Sequence, residues 1–197
     1  MIIQRILSTR SGVKLEYVLA VNPKESDWKE FYKQADGYKK DNNIFIEDNC
    51  MISIDEIISR CKEVKDKYGL DLVVIDYFQL IATSKNVTST NKCEEVGNIT
   101  SKLKIMAKDL DISIVLLSQL LRQCREDKKP ILQDLQDVYL LDEYLDLVLF
   151  LYNPDVYSKG NNKGVVELNI AKTTHGESKV IKYKFLKDYL KFEGVNK

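Results

Sequence analysis

The residue best placed to do chemistry is Asp76, which closes the aliphatic part of "LDLVVIDYFQL" at residues 70 to 80. A carboxylate delivered by a strand end can hold Mg²⁺, usually through water, and an amide on a neighbouring strand can sense a phosphate. The amide is Gln119, beside Ser118 at the end of "VLLSQ", and "LNIAK" ends in the same way on Lys172. Together they outline a nucleotide site. Singly they are open to a plainer reading, because Asp and Gln at strand ends also cap helices and anchor loops. The paired pattern favours the nucleotide.

These side chains need strands to carry them and helices to cover the strands. Ile2, Ile3, Ile6 and Leu7 fall at helical spacing before "TRSG" stops the segment, and Trp28, Phe31 and Ala35 repeat that spacing. "IFIE" at 44 to 47 has the β-branched and aromatic content of a short strand. Ser53 and Glu56 then make a capping box, in which each side chain satisfies the other's backbone N–H, ahead of Ile54, Ile57, Ile58, Cys61 and Val64 on one helical face. A strand at 71–76, a polar stretch at 83–92, a helix through Val96, Ile99, Leu103, Met106 and Leu110, and a strand at 112–120 follow. Further strands are expected at 145–152, 164–172, 179–186 and 190–193. Solidly apolar strands alternating with helices predict a parallel sheet buried on both faces, which binds ligands at the carboxyl ends of its strands.

Composition narrows the class. Lys plus Arg and Asp plus Glu each number 30 in the 197 residues, so any nucleic-acid surface must be a local patch rather than a global excess. Cys50, Cys61, Cys93 and Cys124 are far apart with no C-x-x-C pair, and His175 is the single histidine, which argues against structural zinc and for reduced thiols in the cytoplasm. No segment approaches the roughly 20 apolar residues of a spanning helix, and "MIIQRILSTRSG" does not read as a signal peptide. A single domain over 1–197 is expected, with no membrane partner.

"LVVIDYFQLI", "ITSKLKIMAKDLDISIVLLSQLLRQ", "DLVLFLY" and "GVVELNIAK", in that order, resemble the RecA-like motor domain of DnaB-type replicative DNA helicases. Upstream, "IIQRILSTRSGV" and "DWKEFY" through "IFIED" resemble the segments that precede the Mg²⁺-binding strand there, so the likeness runs along essentially the whole chain. The resemblance implies a RecA-like α/β sheet flanked by helices with C-terminal hairpin strands, ATP and Mg²⁺ as cofactors, and single-stranded DNA and other subunits as partners. By residue, Asp76 matches the Walker B aspartate that orients Mg²⁺. Gln119 matches the glutamine that couples the phosphate site to DNA, and Lys172 matches a lysine that reaches a neighbour's γ-phosphate. Residues 128–139, "KKPILQDLQDVY", stand where the family's central-channel loop follows DNA, with Arg122, Arg125, Lys128 and Lys129 as a basic cluster and Gln136 within the loop.

The departures are specific. No G-x-x-x-x-G-K-[ST] phosphate loop stands in these residues, Tyr77 rather than Glu follows Asp76, and Thr174 occupies the position of the family's arginine finger. "QDVY" at 136–139 replaces the channel loop's arginine and small residues, and His175 is assigned no role. No catalytic residue is therefore expected in the chain. A sheet without its phosphate-loop strand exposes unpaired backbone, so the remaining strands close up, another polypeptide supplies the strand, or the isolated chain is marginal; weak solitary stability or self-association is expected. Three functions follow: the C-terminal part of a helicase ATPase, a non-catalytic module binding or regulating a helicase ring, or an inactive remnant.

Overall fold

The structure is a computed structural model that describes residues 2–19, 25–41, 43–49, 52–81, 92–120, 129–135, 143–157 and 164–195. The chain divides into two compact units. The first comprises Met1–Glu47, Leu149–Ile170 and Ser178–Lys197, and the second comprises Asp48–Val148 and Ala171–Glu177.

The first unit begins with helices α1 (Ile2–Ser11), α2 (Leu15–Leu19) and α3 (Glu25–Asp41). Helix α1 ends where Gly12 adopts φ 67°, a left-handed turn that glycine makes without a side-chain clash. The fully buried Ser8 hydroxyl closes this turn by donating to Val13 O at 2.6 Å. An antiparallel meander completes the unit. β4 (Val165–Thr173) pairs with β5 (Val180–Leu186) from Val165↔Lys184 to Asn169↔Val180, and β5 pairs with β6 (Lys191–Gly194) from Tyr183↔Gly194 to Leu186↔Lys191. β3 (Leu147–Tyr152) is the strand beside β4 in the order β3-β4-β5-β6. The Thr9 hydroxyl donates to Tyr189 O at 3.0 Å and Lys14 pairs with Asp188 at 2.8 Å, tying the helices to the β5–β6 turn.

The second unit is built on α4 (Ile54–Tyr68), β1 (Leu72–Ile75), α5 (Lys92–Asp109) and β2 (Ser113–Leu116). The expected capping box forms: Glu56 N–H donates to Ser53 Oγ at 3.3 Å and Ser53 N–H donates to Glu56 Oε2 at 2.9 Å. The hydrogen bond from Ser53 holds the Glu56 carboxyl below its ordinary pKa. Helices α4 and α5 meet through Ile54, Ile57, Val96, Ile99, Leu103 and Met106, all buried in one cluster with Phe78, Ile81, Ile112 and Leu135. β1 and β2 pair in parallel from Leu72↔Ser113 to Ile75↔Leu116.

Two expectations are corrected. Residues 43–49 form no strand, and Ile44, Phe45 and Ile46 are 44–46% exposed. β-Branched and aromatic content favours a strand only where a half-buried face is available, and here the three side chains stay exposed. The parallel strands are also not buried on both faces. Val73, Ile75, Ile114 and Leu116 pack on the cluster, whereas Leu72, Val74, Val115 and Leu117 stay exposed. Solid hydrophobicity in β1 and β2 reports the cover such strands are suited to, while among the described residues one face of the pair stays exposed. Among the described residues no helix is long and apolar enough to cross a membrane.

Candidate functional site

The parallel register brings Asp76 and Gln119 to the same end of the β1–β2 pair. Leu117 N–H donates to Ile75 O at 3.0 Å, and Phe78 N–H returns to Leu117 O at 2.8 Å across the same pair of strands. Asp76 therefore stands between two cross-strand hydrogen bonds, joined to Tyr77 by a cis peptide bond. Its side chain is exposed. Beyond it, residues 78–80 make one 3₁₀ turn whose Phe78 ring is sunk into the core at 7% exposure. Burying that ring fixes the turn, and the turn fixes the carboxylate's exit from the sheet.

A residue to which the sequence analysis assigned no role lies at the centre of this arrangement. Gln79 donates through Nε2 to Ser118 Oγ at 3.1 Å, and its Oε1 accepts from Gln119 N–H at 3.5 Å. The segment after Asp76 is thus laced to the segment that carries Gln119. The signal available was a second amide three places after Asp76, at the spacing of a single turn. Gln119 is also held from its far side, because Leu120 forms an isolated antiparallel bridge with Leu135, a core residue. The Gln119 backbone is anchored on both sides while its side chain remains exposed.

The stretch containing Leu135 includes the beginning of the expected channel loop. Lys129 is exposed next to the buried Pro130, and Ile131 N–H donates to Asp134 Oδ2 at 2.8 Å to shape the turn at 132–134. Arg122, Arg125, Lys128 and Gln136 lie outside the described residues, as do residues 137–139.

Lys172 lies on a strand of the other sheet, half-buried near the end of β4. The loop that follows is fastened by Thr174 N–H donating to Asp146 O at 2.9 Å, while the Asp146 carboxylate takes Lys104 Nζ of α5 at 2.6 and 2.7 Å. Thr174 so serves the fold through its backbone, and its hydroxyl carries no charge to offer a phosphate. The Thr173 hydroxyl donates to His175 O at 2.6 Å and accepts His175 N–H at 3.2 Å, leaving the exposed imidazole outside this turn.

An exposed carboxylate and an exposed amide at one end of a parallel strand pair fit a water-mediated Mg²⁺ and a phosphate oxygen. Direct multidentate coordination is a poorer fit, since no group of three His, Cys, Asp or Glu is assembled among the described residues.

A family profile described as "DnaB-like helicase C terminal domain" matches residues 1–194. The chain is 32% identical over 199 aligned positions to the replicative DNA helicase DnaC of Bacillus subtilis, covering 100% of this chain and 43% of that protein. It is 31% identical to the replicative DNA helicase DnaB of Geobacillus stearothermophilus, again with 100% and 43% covered. The chain thus spans less than half the length of these curated relatives. Two solved structures are similar at 32% identity. One, described as an ATPase domain, superposes with a TM-score of 0.88 over 98% of this chain and 70% of that one. The other, a DnaB-like replicative helicase described with its interactions with primase, superposes with a TM-score of 0.89 over 98% and 48%.

Proposed function

Given that the chain belongs to the DnaB-like helicase C-terminal domain family, we propose that it is the C-terminal part of a replicative helicase motor whose complete assembly unwinds DNA with ATP. The observation that carries this reading is the Asp76–Gln79–Gln119 arrangement, in which a carboxylate and an amide share one end of a registered parallel pair. Asp76 would hold Mg²⁺ through water, Gln119 would face the γ-phosphate, and Gln79 would fix the spacing between them. Lys172 would serve the nucleotide of an adjoining subunit. When bound with ATP, Mg²⁺ neutralises phosphate charge and orients the terminal phosphoryl group.

The residues fit only part of that task. No backbone cradle of the G-x-x-x-x-G-K-[ST] type stands in the chain, so the phosphates must be gripped by another segment. In this reading the site works together with a phosphate-loop segment in the complete assembly, in the cytoplasm, with single-stranded DNA and further helicase subunits as partners. Lys129, with Arg122, Arg125, Lys128 and Gln136, is the DNA-facing set in this reading.

Thr174 favours a second reading. With threonine where the family places its arginine finger, the chain is a non-catalytic member that joins a helicase ring and tunes it. ATP hydrolysis and strand separation, measured after mixing the chain with a phosphate-loop polypeptide and with a helicase ring, separate the two. Activity that appears with the phosphate-loop partner and falls at least tenfold with Asp76→Ala supports the motor. Ring binding without added ATPase supports the tuning module.

A further inference from the structure

The last residues of β4 pass from one compact unit to the other. Pairing with β5 runs from Val165↔Lys184 to Asn169↔Val180, and Ile170 N–H donates to Lys179 O at 2.9 Å. From Ala171 to Glu177 the chain belongs to the second unit, that of α5, β1 and β2. Asp146 holds this tip there. Its carbonyl accepts Thr174 N–H at 2.9 Å, and its two carboxylate oxygens accept from Lys104 Nζ at 2.7 and 2.6 Å. One ammonium shared by both oxygens fixes the carboxylate's orientation and steadies the residue whose carbonyl receives Thr174. Lys104 is itself firmly seated, because Leu103 and Met106 beside it on α5 are 5 and 2% exposed in the helical core. Its side chain is 27% exposed, so most of the stem is covered and the ammonium is directed at Asp146.

Lys172 stands two residues before the Thr174 bond, about 7 Å of extended chain, so a displacement at Asp146 is carried to it. Attraction between an ammonium and a phosphate weakens with distance, and misplacing a positioned group by about 1 Å costs on the order of a hundredfold in rate. A pair with one side chain 71% exposed has little to give to stability, so its larger effect is on geometry. We infer that Lys104 and Asp146 are positioning residues, an ion pair that sets the β4–β5 tip so that Lys172 reaches the nucleotide phosphates of an adjoining subunit. The inference rests on the motor reading above, which gives Lys172 its target, and adds the device that aims it. Neither Lys104 nor Asp146 is placed on the nucleotide: both act through the Thr174 backbone.

Lys104→Met removes the charge and keeps an unbranched stem, whereas Lys104→Arg keeps the charge. Asp146→Asn, which retains the backbone carbonyl, is the second test variant. Amide hydrogen exchange is read first, in the chain alone. The expected result is exchange of the Thr174 amide faster by about tenfold or more in Lys104→Met and Asp146→Asn, near-parent exchange in Lys104→Arg, and unchanged exchange at the core amides of Leu103 and Met106. Thr174 exchange that ignores both variants overturns the inference. So does acceleration shared equally by the core amides, which makes the pair a general stabiliser. The second readout uses an ATP acyl phosphate, which transfers its acyl group to a lysine amine beside the bound terminal phosphate, in the mixtures with a phosphate-loop polypeptide and with a helicase ring. Labelling of Lys172 should fall about fivefold or more in Lys104→Met and recover in Lys104→Arg. Equal labelling of Lys172 in all three chains overturns the positioning role alone. No labelling of Lys172 in the parent defeats the motor reading's use of this lysine, and Thr174 exchange then still decides whether the pair sets the tip.

Discussion

The parallel pair β1–β2 and the antiparallel strand β5 show the same alternation of exposure and use it differently. In β5 the half-buried positions are Ile181, Tyr183 and Phe185, and the exposed positions between them are Lys182 and Lys184. In β1 and β2 the exposed positions are Leu72, Val74 and Val115. The meander is written for one wet face, whereas the parallel pair is written for two dry ones. β3 sides with the parallel pair, since Leu147, Leu149 and Leu151 are exposed and Val148 and Phe150 are buried between them. The contrast separates charged exposed faces from apolar exposed ones. The apolar exposed face of β1–β2 leads to Asp76 and Gln119.

The largest effect should come from the buried side of the parallel pair. Phe78 is 7% exposed and shapes the turn after Asp76, so Phe78→Ala should lower unfolding free energy by about 3–5 kcal/mol in urea titration. A loss no greater than that of a surface substitution would remove the core's role in placing Asp76.

A smaller effect should come from the helix that covers this side. Ser53→Ala removes the α4 N-cap and should cost about 1 kcal/mol. The same box has a pH signature. Folding lowers the Glu56 pKa below its ordinary 4.5, so its stabilising contribution is present above that value and is lost as pH falls through the folded pKa. Stability should decline below pH 4.5, and Glu56→Gln should flatten that part of the profile.

Next in size is the tether of the β4 loop. The Lys104–Asp146 pair is partly solvated, with side chains 27% and 71% exposed, so Lys104→Ala should cost no more than about 1 kcal/mol. Salt should shrink the difference between parent and variant.

The smallest change in the solitary chain should come from the exposed apolar face. Val74→Lys should leave unfolding free energy within about 0.5 kcal/mol while reducing self-association in sedimentation. The converse exchange, Lys182→Val with Lys184→Val, should create self-association on the meander, because it turns a wet face into a dry one. Equal behaviour of the two exchanges would erase the distinction between the sheets.

Much of this was legible in the sequence where a local pattern and its tertiary partner agree. The Ser53–Glu56 box and the buried stripe Val96, Ile99, Leu103, Met106 fall as their spacing predicts, because each is decided within one helix and the face it covers. The run at 44–46 misleads because strand propensity reports a half-buried face, and these three side chains are exposed. The exposure of Leu72 and Val74 is hidden for a similar reason: their types describe a covered strand whether or not the cover is present. At the site, Asp76 and Gln119 stand out as polar groups ending apolar strands. Gln79 does not, since its importance comes from a contact 39 residues away at Ser118.

The most direct measurement is calorimetry of Mg²⁺-ATP binding to the chain, to the chain mixed with a phosphate-loop polypeptide, and to the same mixture carrying Asp76→Ala. Binding by the mixture, at least tenfold weaker with Asp76→Ala and weak or absent for the chain alone, is the predicted result. Binding by the mixture that ignores Asp76→Ala, or no binding by the mixture at all, would contradict the assignment of this strand end to a shared nucleotide site.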